Sequence, residues 1–240
     1  MASLADTALA RLLPERVFHA DMIDAISRGG EVLVADDSGV LIVTVDGTAL
    51  LSCADTACAE AMFDRLERSG WTPRYLVAHD DLTVPLAQAR FGFTELTPCL
   101  SSAHSADRLP DRPIPGVQVV TLGPQWIDTA IANYDMNGPE YVRERFAAQA
   151  MWGAFRDDLL LGFIGTHIQG AMGLLYVFPE HRHQGVAELL VTGLANQLLD
   201  AGHIPYDHIV IGNTASEHLQ LKLGFTVSNR HLCWLSYGDD

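Results

Sequence analysis

Basic residues are scarce in this sequence. Fifteen Lys and Arg stand against 30 Asp and Glu, a formal net charge of −15 over 240 residues. A general nucleic-acid binder needs a basic face to displace counterions from phosphates, so that class is not expected. The acidic surface favours solubility and is compatible with attracting a cationic amine. Cysteine is scarce too, with Cys53, Cys58, Cys99 and Cys233 alone. There is no CxxC and no Cys/His cluster at zinc-finger spacing, so no metal site is expected. Four isolated thiols suit a reducing cytoplasm. No apolar run approaches the length of a membrane span, and Met1 to Arg16 lacks a basic segment followed by an apolar stretch. The expectation is a cytoplasmic protein with no membrane partner, a monomer or a homodimer. Two nucleotide-binding motifs are also missing: no GxxxxGK[ST] loop occurs, and no GxGxxG follows a strand.

What is present is enough to build a core. Hydrophobic residues make up 48% and charged residues 19%, which separates this chain from disordered sequences. The length allows one large domain or two small ones. Residues 105–116 carry Asp107, Pro110, Asp111, Pro113, Pro115 and Gly116, a polar, proline-rich stretch that reads as a linker. The expected division is therefore 1–108, a linker at 109–116, and 117–240. Before the linker the patterns predict one or two helices over 1–30 and a hairpin around Asp36 to Gly39. A strand at 49–53, a helix at 56–69, short strand and helix at 75–90, and a strand at 95–103 follow. After it come a strand at 118–121, helices at 126–134 and 140–152, and strands at 153–156, 159–169 and 171–177. A long helix at 185–201, a strand at 209–211, a helix at 215–222 and a strand at 230–237 complete the pattern. An internal echo links the halves: Gln88 to Thr94 parallels Gln220 to Thr226 around a shared Gly-Phe-Thr, in the same order of elements.

The stretch from Met172 to Leu199 is the most informative. An apolar strand meets a proline break, then Arg182-x-x-Gly185-x-Ala187, then an amphipathic helix whose stripe is Val186, Leu189, Leu190, Leu194 and Leu198. The loop thus sits on a helix N-terminus, where the first N–H groups lack partners and the dipole is positive. A pyrophosphate suits such a place. Gly185 lets a phosphate approach the backbone, Ala187 is small for a similar reason, and Arg182 adds a positive charge.

Val177-x-Pro179-x-x-Arg182-x-x-Gly185-x-Ala187 resembles the acetyl-CoA pyrophosphate loop of the GCN5-related N-acetyltransferases. Asn213-x-x-Ser216-x-x-Leu219-Gln220-x-Lys222-Leu223-Gly224-Phe225 resembles their second cofactor motif. Ile204-Pro205-Tyr206 and the Leu-Gln-x-Lys-Leu-Gly-Phe ending are similar to a bacterial, FR47-like branch related to glycine N-acyltransferases. The resemblance covers Gly116 to Ser236. It implies an α/β (α+β) fold with a mixed, mostly antiparallel sheet flanked by helices. In that branch a degenerate acetyltransferase-like domain precedes the active one, which would account for the echo. The first half has no phosphate loop and is expected to bind no coenzyme A.

The resemblance implies an N-acyltransferase that moves an acetyl or other acyl group from acyl-CoA to a primary amine by direct attack. The acceptor is a small molecule, with a protein amine as an alternative; a non-catalytic acyl-CoA-binding or regulatory protein is the further alternative. The acyl group and pantetheine arm would lie between two splayed strands, Leu174 to Val177 and Tyr206 to Ile211. Backbone N–H groups near Leu175, Tyr176 and Val177 would hold the acyl oxygen. Arg182, His183, Gln184, Gly185, Val186 and Ala187 would line the pyrophosphate, and Asn213, Ser216 and Leu219 the pantetheine. Catalytic candidates are Tyr176, His208 and Gln220, with Asp207 and His167 also near the implied cleft. The sequence departs from the family here. Gln220 stands where many members have Tyr, and neither Tyr176 nor Ala171 is the Glu that members place nearby. Trp126, Tyr134, Tyr141 and Trp152 lie on the helices that usually cover the acceptor, or serve as core.

Overall fold

The computed structural model describes residues 3–238 apart from 73, 106, 135 and 137. Asn137, in the break expected between the two helices after the linker, lies outside them. The helices are α1 (Leu4–Leu12), α2 (Ala20–Ser27), α3 (Thr56–Arg68), α4 (Thr83–Phe91), α5 (Ile127–Asn133), α6 (Pro139–Ala147), α7 (Val186–Asp200) and α8 (Thr214–Leu223). The strands are β1 (Glu31–Ala35), β2 (Gly39–Val43), β3 (Ala49–Cys53), β4 (Leu76–Ala78), β5 (Glu95–Ala103), β6 (Val117–Thr121), β7 (Met151–Arg156), β8 (Leu159–Thr166), β9 (Met172–Val177), β10 (Tyr206–Val210) and β11 (Thr226–Ser236). Among the described residues no helix is long and apolar enough to cross a membrane.

The chain forms two compact units that are not consecutive in sequence. The first is Met1–Ala103 with His208–His218 and Thr226–Asp240; the second is His104–Asp207 with Leu219–Phe225. This differs from the expected division at 109–116. Composition marks a change of character along the chain, but it does not say which sheet a later strand joins. β11 joins the first unit, antiparallel to both β4 and β5. Its Leu232 and Leu235 are fully buried there. The seven-stranded sheet runs β1-β2-β3-β4-β11-β5-β10, with β3 and β4 parallel. Its core packs Leu41, Leu51, Phe63, Leu66, Leu76, Phe93 and Leu235.

The second unit has the antiparallel sheet β6-β7-β8-β9. β8 is buried on both faces, which is why it reads as an apolar run rather than an alternation. Leu161 and Ile164 pack with the α7 residues Leu190, Leu194 and Leu198. Leu160 and Phe163 pack with Ala130 of α5 and with Val142 and Phe146 of α6. The helix expected over 140–152 stops at Ala147. Gln149 takes a left-handed φ of 54° and Ala150 N–H donates to Arg145 O at 2.9 Å, so the turn closes and β7 begins. A glycine at that place would have marked the end.

The segment read as a linker packs on α7. Leu109 is buried. Asn196 Oδ1 accepts from Leu109 N at 2.8 Å, and Asn196 Nδ2 donates to Leu109 O at 3.0 Å. Arg112 pairs with Glu188 at 2.9 Å and Arg108 with Asp200. Asn196→Ala strands a buried N–H and C=O together, and is expected to destabilise the protein by about 2–3 kcal/mol. Urea unfolding checks this; a loss below about 0.5 kcal/mol would show that water replaces both bonds.

The echo holds at the level of geometry. Gly92 ends α4 and Gly224 follows α8, with left-handed φ of 79° and 88°. The next residues, Phe93 and Phe225, are each 3% exposed and enter the cores of the first and second units respectively.

Candidate functional site

In the second unit β9 runs into the loop that precedes α7. The ladder between β8 and β9 shifts register: Phe163 pairs with Tyr176 and Gly165 with Gly173. Leu174 and Leu175 therefore stand opposite Ile164 alone, a β-bulge. Leu174 carries the strain, with a left-handed φ of 50° at a non-glycine residue. Gly162 is required beside it, because a Cβ there would lie 2.6 Å from Tyr176 O.

After β9, Arg182 Nε donates to Val177 O at 3.0 Å, and its guanidinium lies 5.7 Å from the Tyr176 ring centroid. Gln184 Nε2 donates to Glu180 O at 2.9 Å. His183 and Gly185 both have positive φ, 59° and 83°. Backbones that alternate in this way form concavities lined by N–H groups. Gly185 is the N-cap of α7, and no side chain caps the helix. Its first intrahelical bond is Leu189 N–H to Gly185 O at 2.9 Å. The N–H groups of Val186, Ala187 and Glu188 lie ahead of that bond. A Cβ on Gly185 would come no closer than 3.7 Å to Ile114 Cδ1. The protein itself thus leaves room; the positive φ and the open space over the loop select glycine. Arg182, His183 and Gln184 are exposed there. Glu188, in the first turn, is held by Arg112 at 2.9 Å and by Lys222 at 2.5 Å. The loop is thus a cationic mouth on an acidic protein, suited to a polyanion.

Leu175, Tyr176 and Val177 are all half-buried. The Tyr176 ring stacks on Phe163 at 5.6 Å and meets Phe178 edge-on at 5.3 Å. Gln220 is buried and donates from Nε2 to Asp207 Oδ2 at 2.7 Å. Leu219 packs against the second unit's core. Asn213 and Ser216 belong to the first unit, where Asn213 Oδ1 accepts from Ser216 N at 3.1 Å, a cap at the start of α8.

His208 also belongs to the first unit, within a buried polar cluster. Trp234 Nε1 donates to His208 Nδ1 at 2.9 Å, and His208 Nε2 lies 3.7 Å from Asp21 Oδ2. Asp21 Oδ1 bonds His79 Nε2 at 2.9 Å, and His79 Nδ1 bonds Leu51 O at 3.0 Å. His19 Nε2 bonds Ser52 Oγ at 3.1 Å. Burial pushes His208 down to about 4. Burial, then the neighbouring His79, push His19 to about 3. Burial would raise Asp21, but His79 and His208 outweigh it and hold the carboxyl at about 2. Alternation predicts that Asp207 and His208 face opposite ways, and they do, one to Gln220 and the other to Asp21. Nothing in the spacing of His19, Asp21 and His79 marks them as neighbours.

A second polar pair lies beside β9. Tyr141 Oη and His167 Nδ1 are 2.6 Å apart, and Ile168 N–H donates to the same phenol oxygen at 3.4 Å. The sequence marks Tyr141 only as one aromatic among four.

Residues 153–235 match the family model described as FR47-like protein. That segment runs from β7 to β11. No curated protein matches the chain. Among solved structures, a Drosophila protein from a structural genomics programme is 15% identical with a TM-score of 0.63, covering 98% of this chain and 88% of its own. A GCN5-related N-acetyltransferase-like protein from Streptococcus suis is 13% identical with a TM-score of 0.55, covering 97% and 99%. A GCN5-related N-acetyltransferase from Sphaerobacter thermophilus is 16% identical with a TM-score of 0.52, covering 100% and 95%.

Proposed function

From an FR47-like segment carried on a GCN5-related N-acetyltransferase fold, we infer that this protein transfers an acetyl or longer acyl group from coenzyme A to a primary amine of a small molecule. The observation that carries the reading is the uncapped N-terminus of α7 behind the left-handed Gly185. Acyl-CoA, when bound, supplies the activated thioester. The backbone of His183 to Ala187 and the Arg182 guanidinium hold the pyrophosphate. N–H groups of Leu175 to Val177, next to the bulge, hold the acyl oxygen and the pantetheine arm; an oxyanion donor is worth about 3 kcal/mol in other acyl-transfer enzymes.

Among the three catalytic candidates, Tyr176 sits on β9 beside the bulge, and Gln220 has an amide hydrogen to offer the leaving sulfur. His208 is neutral, buried and weakly basic at about 4, so we assign it no proton transfer. The 1–108 segment, with no phosphate loop and a matching Gly-Phe corner, is read as a diverged copy that binds no coenzyme A. The protein is read as cytoplasmic, a monomer or a homodimer.

One observation favours a second reading, a non-catalytic acyl-CoA-binding module. Gln220 lacks a titratable proton, and Asp207 already takes one of its donors. Calorimetry with acetyl-CoA, and an amine panel with acetyl- and longer acyl-CoAs read by free thiol, separate the two. Amine-dependent thiol release is the expected result. Binding without release would establish the module, and absence of binding at millimolar acetyl-CoA would refute both.

A further inference from the structure

We propose that Arg145 anchors a carboxylate carried by the amine acceptor, so that the acceptor class is an amine that also bears a carboxylate; the proposal rests on the acyl-transfer reading above. Every residue it uses lies in the second unit. Among the described residues Arg145 is the one Lys or Arg that is buried, with 9% of its side-chain surface open. A guanidinium taken out of water calls for an anion and for acceptors at its N–H groups. Arg145 has little of either. Its Nε–H is shielded from solvent and meets no acceptor among the described residues. Nη2 lies 3.5 Å from Glu144 Oε1, longer than a charge-assisted hydrogen bond, and Glu144 is itself exposed. The Tyr141 ring, 5.7 Å from the guanidinium carbon, supplies a π-face and no negative charge. A cation in the last turn of α6 gains from the helix dipole at the surface too, so the dipole does not account for the burial.

The unsatisfied edge has a definite chemistry. Nε–H and the outer Nη2–H point the same way, and one carboxylate accepts from both. Glu144 covers the Nη2 end loosely and leaves the Nε end bare. A ligand carboxylate that displaces Glu144 to solvent satisfies both ends. The same guanidinium repels a second ammonium, so a polyamine is disfavoured here despite the net charge of −15 on the protein.

Contacts connect this edge to β9. Val142 and Phe146, on the same helix, share a core cluster with Leu174, and Tyr176 packs against that cluster. Tyr141 Oη meets His167 Nδ1 at 2.6 Å, and a Cβ on Gly173 would lie 2.2 Å from His167 Nε2. Gly173 precedes the bulge at Leu174. Arg145, Tyr141, His167 and Gly173 therefore form a row that ends where β9 leaves its ladder, the place we give the acyl oxygen. An acceptor laid along that row presents its amine to the acyl carbon and its carboxylate to Arg145. The carboxylate is not consumed. The neutral amine nitrogen bonds to the acyl carbon, and the carbon–sulfur bond breaks with its pair on sulfur. The surplus proton on nitrogen reaches the sulfur through solvent.

Two measurements test this. The first is thiol release from acetyl-CoA with α-, β- and longer ω-amino acids, each against its carboxamide, with polyamines alongside. The parent is expected to favour the acid over its amide by about thirtyfold in kcat/KM. Arg145→Gln is expected to raise KM for the acid by about thirtyfold, leaving the amide within about threefold and the Kd for acetyl-CoA within about twofold. Glu144→Gln removes the competing carboxylate and is expected to lower KM for the acid, a gain that a purely structural ion pair does not predict. The second measurement needs no turnover. It is nitrogen-15 NMR of the arginine Nε–H groups, with Arg145 assigned by the loss of its signal in Arg145→Lys. That signal is expected to move saturably with the amino acids and to stay still with their carboxamides. A parent that takes acid and amide alike, or an Arg145→Gln that weakens both alike, overturns the proposal and leaves the acyltransferase reading standing. Should neither Arg145 variant fold, a parent spectrum in which no arginine Nε–H responds to any of the amino acids overturns it, and a buried water then holds Nε. An Arg145 signal that responds in a protein releasing no thiol with any amine keeps the carboxylate site and overturns the transfer.

Discussion

Gly185→Glu is expected to weaken acetyl-CoA binding by at least about a hundredfold, on the order of 3 kcal/mol. Two effects add. A side chain at the left-handed φ of 83° costs about 1 kcal/mol of backbone strain. The new carboxylate also occupies the helix N-terminus, engages its free N–H groups and repels the phosphates meant for them. Gly185→Ala separates the two. It adds the strain and one methyl in the path of the phosphate but no charge, its Cβ meeting no protein atom nearer than Ile114 Cδ1 at 3.7 Å, and a loss of about fivefold is expected. Isothermal calorimetry on both variants, with thermal unfolding to confirm that each remains folded, checks this. Retention of binding within tenfold by Gly185→Glu would move the pyrophosphate away from this loop.

The second large effect is on stability in mild acid. His19 and His208 have folded values near 3 and 4, below the ordinary value of 6.5. Between those values the unfolded chain binds more protons than the folded one, so stability falls as pH falls. The loss begins as pH drops through about 6.5 and reaches a few kcal/mol by about pH 5. Asp21 behaves differently. Its folded value near 2 lies below that of an unfolded carboxyl, so its contribution is intact above about pH 4 and fades only below. Urea unfolding at pH 7.5, 6 and 5 reads the slope, expected to approach two protons. His208→Gln keeps an acceptor for the Trp234 N–H and should reduce the slope to about one. A stability that is flat from pH 7.5 to 5 would show that both imidazoles charge within the fold.

The parts of this molecule that were readable in the sequence are those set by local chemistry. Asp36-Asp37-Ser38-Gly39 forces a hairpin, and β1 and β2 pair across it. Val177 to Ala187 forces a strand, a turn and a helix start in order, and β9, the loop and α7 follow. Failures arise where a distant partner decides. Gln149 ends α6 without the glycine that would announce it. β10 begins at Tyr206, where the family resemblance starts it but earlier than the apolar run at 209–211 suggests, because Tyr206 is fully buried and its hydroxyl donates to Gln169 O at 3.0 Å. The proline-rich stretch after Asp107 looks like a tether, yet Asn196, buried on α7, holds it. The same limit applies to the candidate site. The loop from Val177 to Ala187 is one continuous motif, so its turn and the uncapped helix start were legible. The contact between Tyr141 and His167 spans 26 residues, and that between His79 and Asp21 spans 58; no periodicity encodes either.

The position of β11 bears on how the molecule is made. Synthesis proceeds from the N-terminus, and β11 is inserted between β4 and β5, strands made long before it. When Ala103 leaves the ribosome, β4 and β5, the two strands that will flank β11, have no neighbour at that edge. Leu76 and Val77 of β4 are fully buried in the finished unit, so until residues 226–236 arrive this nascent half holds an open seam between two strand edges. The second unit's four-stranded sheet, encoded without interruption from β6 to β9, can close first. The half that is translated earlier is therefore the half that matures later, and a messenger truncated before Thr226 yields a first sheet that lacks the interior strand between β4 and β5.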